Sequence, residues 1–201
     1  MLTSIEELEA IYGPPLERAI LKEIGYVSDD YAAFIGASPF VAMSTAGPEG
    51  LDCSPKGDAP GFVKVIDSHT LAIPDRPGNN RIDSLRNIVR DPRVGLLFVI
   101  PGVGETLRVN GQASISDDAA LLASFAVNGK VPRTVILVLV ESVYFHCSKA
   151  LVRSDLWNPD KHVARSSLPS AGEIFQHISG GTFDGRAYDR ELPGRVKASL
   201  Y

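Results

Sequence analysis

The sequence predicts a mainly β protein with helices, an α+β fold in which antiparallel strands form a closed or nearly closed β-barrel. Two observations predict this class. Short runs of alternating or β-branched residues recur from Phe40 to Phe145, and turns rich in Gly and Pro separate them. A single helical segment crosses after the fourth run. Six or seven antiparallel strands at such short spacing are typical of a barrel.

The composition fits one globular domain. The chain has 201 residues, of which 44% are hydrophobic and 22% are charged, so it can bury a core without disulfides or structural metals. Its net charge of −4 excludes the overall basic field that holds a protein on nucleic acid. We predict a single domain over 1–201, with a helical N-terminal extension (1–37), a barrel (40–146) and a helical tail (147–201).

Cysteine usage and the N-terminal residues predict a cytoplasmic protein. Cys53 and Cys147 are far apart in the sequence, so neither a disulfide framework nor a zinc site is expected. The acidic N-terminus lacks the pattern of a signal peptide. No apolar run reaches the ~18 residues of a membrane span, so we expect no membrane partner. The four histidines stand singly in the sequence, so we expect no metal site.

Three short helices are predicted before the first strand. Ser4 and Glu7 have the spacing of a capping box. The first helix continues to the sequence Gly13-Pro-Pro15, which ends it. The second and third predicted helices are Leu16–Ile24 and Tyr31–Gly36.

Seven runs have the length and composition of β-strands. The run Val94–Ile100 is almost continuously apolar, which predicts burial on both faces. Asp117 is predicted to cap a short helix between the last two strands. The other predicted strands are Phe40–Thr45, Leu51–Ser54, Phe62–Ile66, Thr70–Ile73, Thr106–Ile115 and Thr134–Phe145.

The segment between the fourth and fifth strands is predicted to bind an anion. Pro77-Gly78 cannot continue a strand. Asn79 or Asn80 is a suitable N-cap for the helix that follows. Arg81 and Ser84 then fall in the first helical turn, where backbone N–H groups and the helix dipole favour a phosphate.

Polar residues at the predicted strand ends favour one phosphate-bearing, partly aromatic ligand. A molecule like flavin mononucleotide (FMN) needs cations for its phosphate, backbone groups for its pyrimidine edge and an apolar wall for its ring. No general base stands beside Ser54, so a nucleophilic hydrolase has no support. The polar set is Lys56, Asp58, Asp75, Arg76, Asn80, Arg81, Ser84, Arg153 and Ser154.

Five segments resemble the FMN-binding split-barrel proteins related to pyridoxamine 5′-phosphate oxidase, and most closely an uncharacterised subgroup of that family. The resemblance runs from about Phe40 to Trp157, and the tail 192–201 is also similar to that subgroup. Strand, loop and helix followed by Asp-Pro-Arg-Val form its most specific combination. The segments are Ser54–Asp58, Gly61–Val63, Ile73–Arg81, Asp91–Phe98 and Leu107–Gly111.

The resemblance implies a six-stranded split barrel that forms a homodimer, with two FMN sites at the subunit interface. It also implies an oxidoreductase that passes hydride or electrons through flavin N5 to or from an unknown small molecule. No residue is assigned as a catalytic acid or base. Three alternatives stay open: a flavin carrier or sensor without turnover, a barrel that binds a deazaflavin, and a haem protein with His146 or Cys147 as axial ligand.

The resemblance also implies the cofactor-binding residues. Thr106 takes the place of a glutamine that lies over the flavin in the oxidase, and Arg153 and Ser154 would reach over from the second subunit. The implied set is Ser54, Pro55, Lys56, Gly57, Asp58, Asp75, Arg76, Asn79, Asn80, Arg81, Ser84, Thr106, Arg153, Ser154 and Trp157.

Overall fold

The computed structural model describes residues 1–200, in which seven antiparallel strands form one sheet. The mainly β fold class is confirmed, and the seven strands correspond to the seven runs predicted from the sequence, whereas the six strands that the resemblance implies are one too few. At one edge of the sheet is β3, a four-residue strand that pairs only with β4 among the described residues. The strands are β1 (Phe40–Gly47), β2 (Gly50–Gly57), β3 (Lys64–Asp67), β4 (Thr70–Pro74), β5 (Arg93–Val99), β6 (Thr106–Ser116) and β7 (Val135–His146).

The sheet curls until the end of β2 lies close to the end of β4. Its strand order is β2-β1-β5-β6-β7-β4-β3, so β2 and β4 are not hydrogen-bonded neighbours. Two ion pairs nevertheless join their ends: Lys56 Nζ lies 3.0 Å from Asp75 Oδ1, and Arg76 Nε lies 2.7 Å from Asp58 Oδ2. The strands therefore form a nearly closed barrel. We call the junction formed by these four residues the seam.

β2 continues past the point at which the sequence predicts its end. The predicted strand ends at Ser54, but Pro55 pairs with Ala42 of β1, and β2 extends to Gly57. Because β2 is an edge strand, a proline without an N–H can be accommodated there. This extension brings Lys56 to the seam.

The barrel encloses one main hydrophobic core. Side chains of β1, β5 and β6 alternate between this core and the outer surface. β4 is buried from Leu71 to Pro74, and its Ala72 packs with Phe125 and Val135 in a second, smaller cluster. The predicted burial of β5 on both faces is wrong, because Leu97 points outward and is exposed. Two helices close the core: α3 (Asp29–Ala37) contributes Ile35, and α4 (Asp83–Arg90) contributes Ile88.

Two further helices precede α3, namely α1 (Ile5–Tyr12) and α2 (Glu17–Leu21). The predicted capping box is confirmed, since Ser4 Oγ accepts from Glu7 N and Glu7 Oε2 accepts from Ser4 N, both at 3.2 Å. Neither helix contains a buried residue. The N-terminal extension is therefore helical as predicted, but its first two helices add nothing to the core.

The tail is helical, as predicted. Gly172 and Gly185 approach so closely that a Cβ on Gly172 would lie 2.1 Å from the Gly185 carbonyl oxygen. Asp184 caps the terminal helix, and its side chain accepts from Ala187 N. Residue 201 lies outside the described residues. The remaining helices are α5 (Ala119–Ser124), capped by Asp118 rather than Asp117, α6 (Lys149–Ser154), α7 (Ala171–Ile178), α8 (Gly185–Ser199) and the 3₁₀ turns Pro159–Lys161 and Arg165–Ser167.

None of the helices found between residues 1 and 200 combines the length and the apolar character needed to cross a lipid bilayer.

Candidate functional site

A cavity of about 560 Å³ lies at the seam, where the ends of β2 and β4 meet the beginning of α4. The loop from β4 to α4 forms one wall, and β2 contributes another. Ten predicted cofactor-binding residues line this cavity, so the structure brings most of the predicted set together: Ser54, Pro55, Lys56, Gly57, Asp75, Arg76, Asn79, Asn80, Arg81 and Ser84.

The inner face of β2 supplies a row of polar side chains. Because side chains alternate along a strand, Asp52, Ser54 and Lys56 share one face. Ser54 Oγ donates to the Asp52 carboxylate, 3.1 Å from Oδ1 and 3.0 Å from Oδ2. Buried Ser84, in the first turn of α4, donates to Asp52 Oδ2 at 2.6 Å. Asp52 thus joins β2 to α4. Asp52 is not among the predicted residues. It lies two residues before Ser54 on a predicted strand, and this spacing could have placed it on the same face as Ser54.

At the seam, each cationic side chain forms an ion pair with a carboxylate. The Arg76 side chain is 17% exposed and that of Asp58 only 4%. Arg76 Nη1 also donates to the Phe125 carbonyl oxygen at 2.9 Å. Asp58 therefore orients Arg76 at the cavity wall, although Asp58 itself does not line the cavity.

The loop before α4 has an uncommon backbone conformation. Asn80 and Ile82 have φ values of 59° and 53°, and a β-branched residue such as Ile82 rarely adopts this left-handed region. α4 begins at Asp83, and Ile82 is its N-cap without a side-chain hydrogen bond. The predicted capping by Asn79 or Asn80 is wrong, since Asn79 Oδ1 accepts from Arg81 N at 3.0 Å instead.

Two arginines lie on this side of the cavity. Arg81 precedes the helix rather than lying in its first turn, and its side chain is 73% exposed. Its pKa is raised by a hydrogen bond to Asp83, whose charge, with that of Asp52, adds to the effect. Arg133, which the sequence gave no reason to select, donates from Nη1 to Asn80 Oδ1 at 3.3 Å.

The cavity lining has a positive charge balance. Its cations are Lys56, Arg76, Arg81 and Arg133, against the carboxylates of Asp75 and Asp83. Lys56, Arg76 and Arg81 pair with Asp75, Asp58 and Asp83, and Asp58 lies outside the lining. Arg133, which forms none of the ion pairs found among the described residues, therefore contributes the positive charge that suits a ligand with a phosphate. The remaining lining residues outside the predicted set are Phe62, Pro74, Pro77, Gly78, Ile82, Leu85 and Thr134.

Thr134 presents a polar atom without a partner. Its Oγ1 is buried and makes no hydrogen bond with any described residue, while its backbone oxygen accepts from Asp75 N at 2.9 Å. Buried hydroxyl groups are normally hydrogen-bonded. Thr134 is one of the residues that line the cavity, so a ligand that reaches its hydroxyl would supply the missing partner.

Four predicted residues lie away from the cavity in the same chain. Thr106 begins β6 and pairs with His146. Trp157 Nε1 donates to the Val103 carbonyl oxygen at 2.8 Å. Arg153 and Ser154 are exposed on α6. None of the four lines the cavity.

His146, the histidine considered as a haem ligand, is also outside this cavity. Its Nε2 is buried without a partner. Burial lowers the pKa of the His146 imidazole, and the nearby positive charges of Arg108 and Lys22 lower it further. Within residues 1–200, no three His, Cys, Asp or Glu side chains are grouped to hold a metal ion.

The sequence matches the family model described as pyridoxamine 5′-phosphate oxidase over residues 27–147. This segment contains all seven strands and the helices α3 and α4, and it includes every residue that lines the cavity. No curated protein sequence matches the chain.

Solved structures of low sequence identity are also similar to this chain. HupZ of Group A Streptococcus is 20% identical, with 58% of this chain and 91% of HupZ covered and a TM-score of 0.47. General stress protein 26 of Bacillus anthracis is 17% identical, with 56% of this chain and 88% of that protein covered and a TM-score of 0.44.

Proposed function

Because the chain belongs to the pyridoxamine 5′-phosphate oxidase family, we propose that it is a flavoprotein that binds FMN in the seam cavity. The observation that carries the proposal is the lining of this cavity. It combines four cationic side chains with the buried, unpartnered hydroxyl of Thr134. Its volume of about 560 Å³ lies within the range of small-molecule sites.

The residues present fit the parts of FMN. Arg81 and Arg133 would hold the phosphate. The backbone of 54–57 and 74–76 offers donors and acceptors for the pyrimidine edge. Lys56 would stabilise negative charge on the ring. When bound, FMN supplies hydride or electron exchange at N5, and the protein positions the ring and its redox partner.

We infer that the protein is an oxidoreductase for an unidentified small molecule. The family membership and the cavity support this inference. A flavin carrier or sensor would use the same residues, and only turnover distinguishes the two. With flavin bound, bleaching of the flavin absorbance by NADH or NADPH, followed by its return in air, is the result expected for an enzyme.

A homodimer with its cofactor sites at the interface is part of the proposal. Arg153 and Ser154 are exposed on α6 and lie outside the cavity of their own chain, which fits a contribution to the site of a second subunit. Light scattering on the purified protein should give the mass of a dimer. A monomer that binds FMN at full affinity would contradict this part of the proposal.

The decisive experiment is a flavin titration of the purified protein. We expect two visible flavin bands in the protein as isolated or after addition of FMN. A Soret band would indicate haem, and a protein that binds no flavin would refute the proposal. A cofactor that absorbs at shorter wavelength than FMN would indicate a deazaflavin.

Arg81→Ala tests the phosphate contact. Loss of a charge-assisted hydrogen bond should weaken FMN binding by about tenfold or more, measured by quenching of flavin fluorescence. Arg93→Ala is a matched control, because Arg93 is similarly exposed and also pairs with an aspartate two residues away. Equal FMN affinity in the two variants would exclude the role given to Arg81.

A further inference from the structure

We propose that Asp52 converts Ser54 and Ser84 into hydrogen-bond acceptors, so that this part of the cavity selects a donating group of the ligand and excludes its phosphate. The selected group is a neutral hydroxyl or ring N–H. The inference rests on the proposed function for the identity of the ligand. It adds which part of that ligand lies between β2 and α4.

The hydroxyl protons of both serines are already in use. A serine hydroxyl has one proton to donate and two lone pairs that accept. Ser84 donates to Asp52 Oδ2 at 2.6 Å, and Ser54 donates to the same carboxylate at 3.0 Å. A carboxylate oxygen accepts only. Both serines line the cavity, so what they offer to a ligand is lone pairs.

A phosphate has no donor to match these lone pairs. Its oxygens accept hydrogen bonds, and its negative charge would lie close to the carboxylate of Asp52. The Asp83 carboxylate lies in the same first turn of α4, where it already interacts favourably with the helix dipole. The phosphate is therefore directed to the guanidinium groups of Arg81 and Arg133, and Ser84 does not take the phosphate-binding role predicted from the sequence.

The opposite chemistry holds at Thr134. Its hydroxyl is buried and lacks a partner among the described residues, so its proton is available to a ligand acceptor that reaches it. The cavity thus has an accepting position at Ser54 and Ser84, and Thr134 would act as a donor to such a ligand. A flavin offers both kinds of group, since its ribityl chain and ring N–H donate and its ring carbonyls accept.

Ser84→Ala tests the inference with two ligands, FMN and riboflavin, which lacks the phosphate. If Ser84 accepts from a group common to both, the variant should lose about 3- to 10-fold in affinity for each. Arg81→Ala should weaken FMN binding alone. A Ser84→Ala variant that loses affinity for FMN but not for riboflavin would place Ser84 on the phosphate and overturn the inference.

Two controls sharpen this experiment. Ser114→Ala removes a hydroxyl from the exposed side of β6 and should leave both affinities unchanged.

Lumiflavin, which has the ring but no ribityl chain, identifies the donating group of the ligand. Weaker lumiflavin binding by Ser84→Ala than by the wild type indicates the ring N–H, and unchanged binding indicates a ribityl hydroxyl.

A measurement without flavin separates failure of this inference from failure of the proposed function. If the wild type binds no flavin, the proposed function is refuted, and the role of Asp52 is decided by stability. A double-mutant cycle of Asp52→Asn and Ser84→Ala in urea unfolding should show coupling between the two side chains. Independent, additive effects would contradict the hydrogen bond on which the inference depends.

Titration with inorganic phosphate, followed by ³¹P NMR, provides the remaining comparison. Phosphate binding should weaken in Arg81→Ala and persist in Ser84→Ala. Absence of phosphate binding by the wild type, or its loss in Ser84→Ala, would overturn the placement of the anion.

Discussion

At the scale of single residues, the site depends on which of a few polar atoms have hydrogen-bond partners within the protein. Two hydroxyls that look equivalent in the sequence differ in the structure: Ser84 Oγ is bonded to Asp52, whereas Thr134 Oγ1 has no partner among the described residues. A buried group without a partner carries a desolvation cost in the folded protein. Ligand binding would recover that cost at Thr134 and not at Ser84.

Thr134→Val is therefore expected to separate binding from stability. The variant keeps the shape of the side chain and loses no intramolecular hydrogen bond. Its free energy of unfolding should be unchanged or higher, while its FMN affinity should fall by about 3- to 10-fold. Urea unfolding and flavin titration provide the two measurements.

Thr45→Val is the matched control for this prediction. Thr45 Oγ1 is buried and accepts from Asn87 Nδ2 at 3.1 Å. Its loss leaves the amide group without its partner, so the free energy of unfolding should fall by about 1–3 kcal/mol. A Thr134→Val protein that is destabilised as strongly would show that its hydroxyl has a partner in the folded chain.

At the scale of elements, alternation and turn residues were sufficient to predict every strand. They do not predict how the cavity is assembled. The start of α4 was misplaced because Ile82 adopts a left-handed conformation that its residue type disfavours. Arg133 and Thr134 directly precede β7, and only the pairing of β4 with β7 brings them to the cavity.

The first two helices can be removed to test what they contribute. Because α1 and α2 contain no buried residue, deletion of residues 1–21 should change the free energy of unfolding by less than about 0.5 kcal/mol. Deletion of residues 1–27 is the comparison. It removes Val27, which is 6% exposed and donates from its backbone N to the Ser68 carbonyl oxygen at 2.7 Å.

We expect this longer deletion to destabilise the protein by at least about 1.5–3 kcal/mol, the value of burying one such side chain. Thermal and urea unfolding measure both effects. A large loss of stability in the shorter deletion would show that α1 or α2 packs against a surface in solution, such as that of a second subunit.

At the scale of the whole molecule, side chains rather than a backbone ladder close the barrel. β2 and β4 meet through Lys56–Asp75 and Arg76–Asp58, and the cavity opens at this junction. The sequence supplied the residues of both pairs as ligand candidates. Their structural role could not be predicted, because it depends on the curl of the complete sheet.

Asp58→Asn should weaken the seam. The Asp58 side chain is 4% exposed, so removal of its charge leaves Arg76 in a partly buried position with a weaker acceptor. We expect a loss of about 1–3 kcal/mol in the free energy of unfolding and weaker FMN binding. Urea unfolding at low and high salt measures the first effect, which salt should screen only slightly.

Glu49→Gln is the control, because Glu49 and Arg90 form an ion pair in which both side chains are well exposed. Exposed pairs contribute about 0–1 kcal/mol, so this variant should resemble the wild type. Equal effects of the two substitutions would show that the seam is no stronger than a surface ion pair.

The hairpin of α7 and α8 has a consequence for the order in which the chain folds during synthesis. Its contacts are between neighbours in sequence, and contacts of this kind form quickly. The barrel has the opposite character, because β1 pairs with β5 and β4 pairs with β7, and the members of each pair are far apart in the sequence. As the chain leaves the ribosome, the barrel remains open until the last strand has emerged, whereas the hairpin needs only its own residues.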